Sequence, residues 1–286
     1  MNKILDKLFK KSKIINIDNN SKIVIISDCH RGIGDINDNF YKNRNIYEYA
    51  LEYYFNKGFT YIELGDGDDM WEVKNYNNLI KFNISTFKII KKFFDLNRFY
   101  MIYGNHDIVK RNKKILETYF YKYYDEKYNR YELLFNNLIV YESLVLNYKG
   151  LEILLLHGHQ LDFFNSNLWI LSKFLVRNIW KKIEYLGGMV SVGKIENNNI
   201  KNSIDKKYNS WSKERNKIVI VGHTHNPIFS EDSLYFNTGS CIHPDGITCI
   251  EIENGIISFI KWDFRLRKDK IFFIKRNELF KKELIF

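Results

Sequence analysis

Five apolar, β-branched or aromatic runs in this chain each end in a short polar block. The runs are KIVIIS, FTYIEL, RFYMIY, LEILLL and KIVIV. The blocks that follow are Asp28-Cys29-His30, Gly65-Asp66-Gly67-Asp68-Asp69, Gly104-Asn105-His106-Asp107, His157-Gly158-His159 and Gly222-His223-Thr224-His225. Runs of this kind read as buried strands. Six of the seven histidines therefore sit just past strand ends. In open α/β sheets that edge is where ligands bind. A hydrophobic core has no use for such an arrangement, and a metal site does.

The spacing between runs sets the architecture. A strand at 22–27 precedes a helical pattern at 44–57, with Ile46, Tyr49, Ala50 and Tyr53 on one face and Gly58 as its cap. A strand at 59–64 precedes a second helical pattern over 78–95, and a strand at 98–103 follows. This βαβαβ order argues for parallel pairing with helices outside. The second half is richer in strands: 138–148 and 151–156 flank the turn Asn147-Tyr148-Lys149-Gly150, and 217–221, 234–237, 247–252, 256–262 and 270–275 follow. The expected fold is α/β: a four-layer α/β/β/α sandwich of two mixed sheets with flanking helices. Residues 163–215 read as a helical insertion, or lid, beside the site. The expected division is a basic N-terminal segment, 1–21, and one domain, 22–286.

Composition narrows the setting. Of 286 residues, 45% are hydrophobic and 27% charged, an ordinary globular balance. The net charge of +10 suits a partner carrying phosphate, nucleic acid or anionic lipid. Abundant Lys, Asn, Ile and Tyr would also follow from an AT-rich coding sequence. Three cysteines make no even disulfide framework and suggest a reducing compartment. With no secretion signal or membrane span, the expected location is cytoplasmic. Ile4, Leu5, Leu8 and Phe9 fall at helical spacing opposite several lysines. Such a helix packs on its own domain or lies on the inner membrane surface.

Two carboxylates, a carboxamide and four imidazoles suit a pair of divalent transition metals. Carboxylates alone would suit Mg²⁺ or Ca²⁺, and imidazole shifts preference toward Mn²⁺, Fe²⁺, Zn²⁺ or Co²⁺. Asp66, on a turn flanked by Gly65 and Gly67, is the best candidate to bridge two ions.

The five blocks, in order, read D-x-H, GD-x-x-D, GNH-D, H and GH-x-H across residues 28–225. In this the chain resembles the calcineurin-like metallophosphoesterase superfamily. The resemblance implies that Asp28, His30 and His225 bind one metal, that Asn105, His157 and His223 bind a second, and that Asp66 bridges them. It implies two divalent ions, Mn²⁺ foremost with Fe or Zn as alternatives, and a bridging hydroxide that attacks phosphorus in line. His106 would assist the leaving group, held by Asp107. Asp69 would orient a ligand. Arg31, Arg44 and His159 are candidates to touch substrate phosphate, each with a structural alternative. Asn237-Thr238-Gly239-Ser240 resembles the turn after the last block in this family, and His243 beyond it reads as structural.

The resemblance implies a phosphoesterase acting on a phosphodiester or pyrophosphate. Alternatives are a serine/threonine-type protein phosphatase, a nucleotide or diadenosine polyphosphate hydrolase, and a non-catalytic metal-binding scaffold. The insertion is similar in position and length to the lid of UDP-2,3-diacylglucosamine pyrophosphatases, although GNHD stands where the best-known branch carries Arg. The expected partner is a phosphorylated small molecule or lipid-linked substrate. Tyr-rich YFYKYYDEKYNRYE at 119–132 mixes rings and cations as single-strand binders do. It also carries acids, and nucleic acid is not the expected partner.

Overall fold

A computed structural model describes residues 2–36, 38–162 and 192–284. Two sheets lie at its centre. The larger has the order β14-β13-β12-β2-β3-β4-β7. Its parallel half comprises β2 (Lys22–Ile26), β3 (Thr60–Leu64), β4 (Phe99–Ile102) and β7 (Val140–Tyr141). Its antiparallel half adds β12 (Ile247–Glu253), β13 (Ile256–Leu266) and β14 (Phe272–Glu283). The smaller sheet has the order β1-β8-β9-β10-β11. Those strands are β1 (Lys13–Ile17), β8 (Ser143–Tyr148), β9 (Leu151–Leu156), β10 (Ile218–Val221) and β11 (Tyr235–Asn237).

Alternation along each strand builds the layers. Ile23, Ile25, Ile62, Leu64 and Ile102 of the larger sheet face Leu144, Leu146, Ile153, Leu155, Ile218 and Ile220 of the smaller. The opposite faces are apolar too. Val24, Ile26, Tyr61 and Met101 pack under α2 (Arg44–Asn56) and α4 (Ile84–Asp95). Val145, Leu154, Val219 and Val221 pack with Leu5 and Leu8 of α1 (Asn2–Lys11) and with Ile204, Tyr208 and Trp211 of α6 (Val192–Arg215). Strands covered on both faces read as continuous apolar runs, which is why they stand out in the sequence. Each fully buried Ile or Leu contributes about 1.5–3 kcal/mol to this packing.

Several expectations shift. The helix expected over 78–95 is two, α3 (Tyr76–Phe82) and α4, broken at Asn83. The buried Asn83 side chain donates to Gly32 O at 2.7 Å and Leu79 O at 3.0 Å, tying the break to the loop after β2. The strand expected over 138–148 is two strands in different sheets, β7 and β8. The N-terminal segment supplies α1, packed on its own domain, and β1, paired in parallel with β8. The Tyr-rich segment holds a hairpin, β5 (Lys122–Asp125) and β6 (Arg130–Leu133), after the helical turn α5 (Lys113–Ile115). Of the expected insertion, α6 is described and residues 163–191 lie outside the described residues. No helix among the described residues is long and apolar enough to cross a membrane.

Candidate metal centre

The carboxyl ends of β2, β3 and β4 meet those of β9 and β10 where the two sheets face each other. Backbone bonds stitch the blocks together. Asp28 N donates to Gly65 O at 3.1 Å, His30 N to Asp66 O at 2.9 Å, and Gly222 N to His157 O at 2.8 Å. Asp28, His30, Asp66, His223 and His225 all have φ between 49° and 67°. Non-glycine residues avoid this left-handed region, at a cost of order 1–3 kcal/mol each. Five such residues in one place aim their side chains at a common point.

Two glycines make room for that aim. A Cβ on Gly104 would collide with the Asp66 carboxylate, and one on Gly222 with Ser27 Oγ and Asp28 Oδ2. Each carboxylate is anchored by one oxygen. Asp66 Oδ1 accepts from His106 N at 2.8 Å, and Asp28 Oδ2 from His223 N at 3.0 Å. The other oxygens point inward. Asp66 Oδ2 lies 3.1 Å from His157 Nε2 and 3.7 Å from His30 Nε2. Asp28 Oδ1 lies 3.1 Å from His225 Nε2 and 3.9 Å from His157 Nε2. His157 Nδ1 donates to Leu64 O at 2.9 Å, so its Nε2 faces the site.

The donors fall into groups of metal-binding size. Asp28, His30 and His225 bring ligand atoms within 4.8 Å of one another, and so do Asp66, His157 and His223. Asp66 stands between the groups through its contacts to His30 and His157. Asp28 Oδ1, Asn105 Oδ1 and His157 Nε2 are buried without a hydrogen bond. Buried polar atoms are ordinarily bonded, so orphaned atoms in both ligand groups fit cations in between. His223 Nε2 lies 3.3 Å from Asp162 Oδ2, the carboxylate–imidazole pairing that orients metal ligands.

Electrostatics agree with that chemistry. Burial opposes ionisation of Asp28, but His157 and His225 outweigh it and hold the carboxyl well below its usual range. The same balance, led by His157, holds Asp66 down. Burial opposes protonation of His157, yet Asp66 and Asp28 raise it to about 9. Burial, with His157 and His223 nearby, pushes His159 well below its usual value.

His106 sits at the rim. Its Nδ1 lies 3.1 Å from Asp69 Oδ1, and its ring stacks on Trp71 with centroids 4.3 Å apart and planes at 18°. Asp69 also lies 3.8 Å from His30 Nδ1. The expectation that Asp107 holds His106 is therefore corrected to Asp69. Asp107 instead turns inward. Its Oδ1 accepts from Gly104 N at 2.7 Å, and its Oδ2 accepts from Gly67 N at 3.2 Å and Lys110 Nζ at 2.8 Å.

The candidate substrate residues fare differently. Arg31 is fully buried, paired with Glu63 at 2.7 Å and Asp68 at 2.6 Å, so it cannot clamp a phosphate at the surface. Arg44 binds Glu48 at 3.1 Å and the Ser85 hydroxyl, the structural alternative. His159 is buried against His157 and Tyr103 and lines the turn. Asn237 and Thr238 brace the last block: Asn237 Nδ2 donates to Gly222 O at 2.9 Å, and Thr238 Oγ1 lies 2.6 Å from Ser27 Oγ. The His243 side chain is exposed, while its carbonyl accepts from Asn43 at 2.7 Å. Sequence reasoning missed Trp71, Asp162 and Lys110. Only proximity to the blocks could have drawn attention to them.

The family model described as the calcineurin-like phosphoesterase superfamily domain matches residues 22–254. Among solved structures, the chain is similar to a conserved protein of Streptococcus pneumoniae described as a predicted phosphoesterase. Identity is 16% and the TM-score 0.35, over 90% of this chain and 97% of that one. It is also similar to Vps29 of Chaetomium thermophilum, at 9% identity and TM-score 0.41, over 92% of this chain and 97% of that one. A cold-active protein-tyrosine phosphatase of Shewanella sp. matches at 13% identity and TM-score 0.44, over 93% of this chain and 83% of that one. No curated protein matches.

Proposed function

Because the chain belongs to the calcineurin-like phosphoesterase superfamily, we propose that it hydrolyses a phosphodiester or pyrophosphate bond with two divalent metal ions. The observation that carries this reading is the pair of unbonded atoms Asp28 Oδ1 and His157 Nε2, 3.9 Å apart, with Asp66 Oδ2 between the two ligand groups. Asp28, His30 and His225 would hold one ion, Asn105, His157 and His223 the other, and Asp66 both. Two such ions, when bound, would acidify a water for in-line attack and neutralise charge on the phosphoryl oxygens. Mn²⁺ is the first candidate, with Fe or Zn next, on the mixed imidazole and carboxylate donor set.

The protein's own side chains do the rest. Asp69 binds His106 Nδ1 and so would leave Nε2 to meet the leaving oxygen. A hydrogen bond or proton given there is worth about 10²–10⁴-fold in rate. Trp71 supports the ring from one face. Asp107 joins Gly67 and Gly104, and so holds the Asp66 and Asn105 loops at a fixed separation. Every ligand position is filled, which weighs against a non-catalytic scaffold.

The test is hydrolysis of bis(p-nitrophenyl) phosphate and p-nitrophenyl phosphate by chelator-stripped protein, with Mn²⁺, Zn²⁺, Co²⁺ and Mg²⁺ restored singly. Turnover that returns with metal, and is absent in Asp66→Asn, supports the reading. Equal turnover in Asp66→Asn refutes it.

A further inference from the structure

The hairpin of β13 and β14 runs past the sheet that carries it. The pairing of β12 with β13 begins at Trp262, so among the described strands residues 263–266 of β13 pair with β14 alone. In this projecting part Phe264 pairs with Ile274 and Leu266 with Phe272. Directly paired residues share a face, so these four form one apolar surface continuous with buried Trp262. That surface is open: Leu266 is 58% exposed and Phe272 69%. Ile271 at the turn is also exposed.

Cations surround it. Residues 261–275 carry six Lys and Arg against Asp263 and Asp269, a net +4. Arg265 and Arg267 are taken by Asp263 and Asp269 at 2.8 Å and 2.5 Å. Lys268 and Lys270 at the turn, and Lys275 on β14, are exposed. At the hairpin's base lies a cavity of about 450 Å³, lined by Lys42, Lys261, Phe264 and Arg265 beside Asp245 and Asp263.

We propose that this hairpin docks the protein on an anionic lipid bilayer. Leu266, Ile271 and Phe272 enter the boundary between headgroups and acyl chains, and Lys268 and Lys270 at the turn meet lipid phosphates. Charge complementarity selects this occupant. A second copy would bring the same net positive charge against its like, and lysines on an edge strand oppose strand-to-strand pairing. Nucleic acid would match the charge, but Leu266 and Ile271 at the projecting end are aliphatic and give a base no ring to stack on. Shallow apolar insertion combined with basic side chains is how peripheral elements hold an anionic membrane.

The inference is independent of the proposed chemistry, and its test needs no turnover. Full-length protein is sedimented with vesicles of phosphatidylcholine alone, and of phosphatidylcholine mixed with phosphatidylglycerol. The expected result is pelleting with the mixed vesicles only, reversed by added NaCl. Leu266→Ser with Phe272→Ser weakens pelleting about tenfold or more, as does Lys268→Glu with Lys270→Glu, with thermal melting unchanged in both. Because a variant could unfold, Phe272→Trp provides a second measurement: its emission shifts to the blue on adding mixed vesicles. Equal pelleting with both vesicle types, full pelleting by both double variants, or no blue shift overturns the proposal. So does a dimer in light scattering that Leu266→Ser with Phe272→Ser dissolves, since a second copy would then cover the face.

Discussion

Lys110→Met removes one cation from a charge cluster buried beneath the metal centre. Lys110 Nζ lies 2.6 Å from Asp68, 2.8 Å from Asp107 and 3.8 Å from Glu63, and all four side chains are fully buried. Arg31 neutralises Glu63 and one oxygen of Asp68, but makes no ion pair with Asp107. Burial already raises the Asp107 carboxyl against the pull of Lys110. Without Lys110 that carboxylate is buried and uncompensated, a loss worth about 3–5 kcal/mol. For 286 residues the unfolding entropy is about 0.6 kcal/mol/K, so Tm should fall by about 5–8 °C. Differential scanning calorimetry of the metal-free protein reads this directly. Asp107→Asn added to Lys110→Met removes the orphaned charge while its amide can still accept one of the two glycine N–H bonds. The double variant should recover part of the loss. A fall under about 1 kcal/mol in the single variant, or a double variant no better than the single, would refute the reasoning.

Other outcomes follow from the same geometry. His106→Ala should lower kcat by about 10²–10⁴-fold with metal affinity intact, and Asp69→Asn should move kcat the same way by less; steady-state kinetics beside metal titration checks both. Trp71→Ala should lower kcat more than KM, with Trp71→Phe recovering most of it because a ring still covers His106. The His157 imidazole is raised from 6.5 to about 9 in the metal-free fold. Its contribution to stability is therefore full below pH 6.5 and is lost as pH rises through about 9, an upper limit of about 3 kcal/mol. Metal requires the neutral ring, so Mn²⁺ should raise Tm more at pH 9 than at pH 6.5; equal shifts would contradict this. Gly104→Ala, whose Cβ meets the Asp66 carboxylate, should weaken metal binding in isothermal titration.

The strands that carry the site were legible because both faces of each are covered and the runs are apolar throughout. The polar blocks were legible because a strand end is the one place where such residues cluster. What stayed hidden has physical causes. β1 is KIINI, with only Ile17 buried, so its pairing with β8 leaves little trace in hydropathy. The run at 138–148 contains no breaker, yet it changes sheets between Tyr141 and Ser143. Asp107 adjoins His106 in sequence, but their side chains diverge, and the His106 partner comes from another block. Arg31 looked like a surface cation because nothing local reveals that Glu63 and Asp68 enclose it. Side-chain direction at a block depends on backbone geometry such as the left-handed Asp66 and His223, which residue type does not announce.

The central claim is that Asp66 joins two metal positions. It is tested most directly by elemental analysis of protein reloaded with Mn²⁺ and passed through a desalting column. The account predicts about two ions per chain in the native protein, and loss of at least one in Asp66→Asn with the fold retained. A native protein that retains no metal, or an Asp66→Asn variant that retains the full complement, would contradict it.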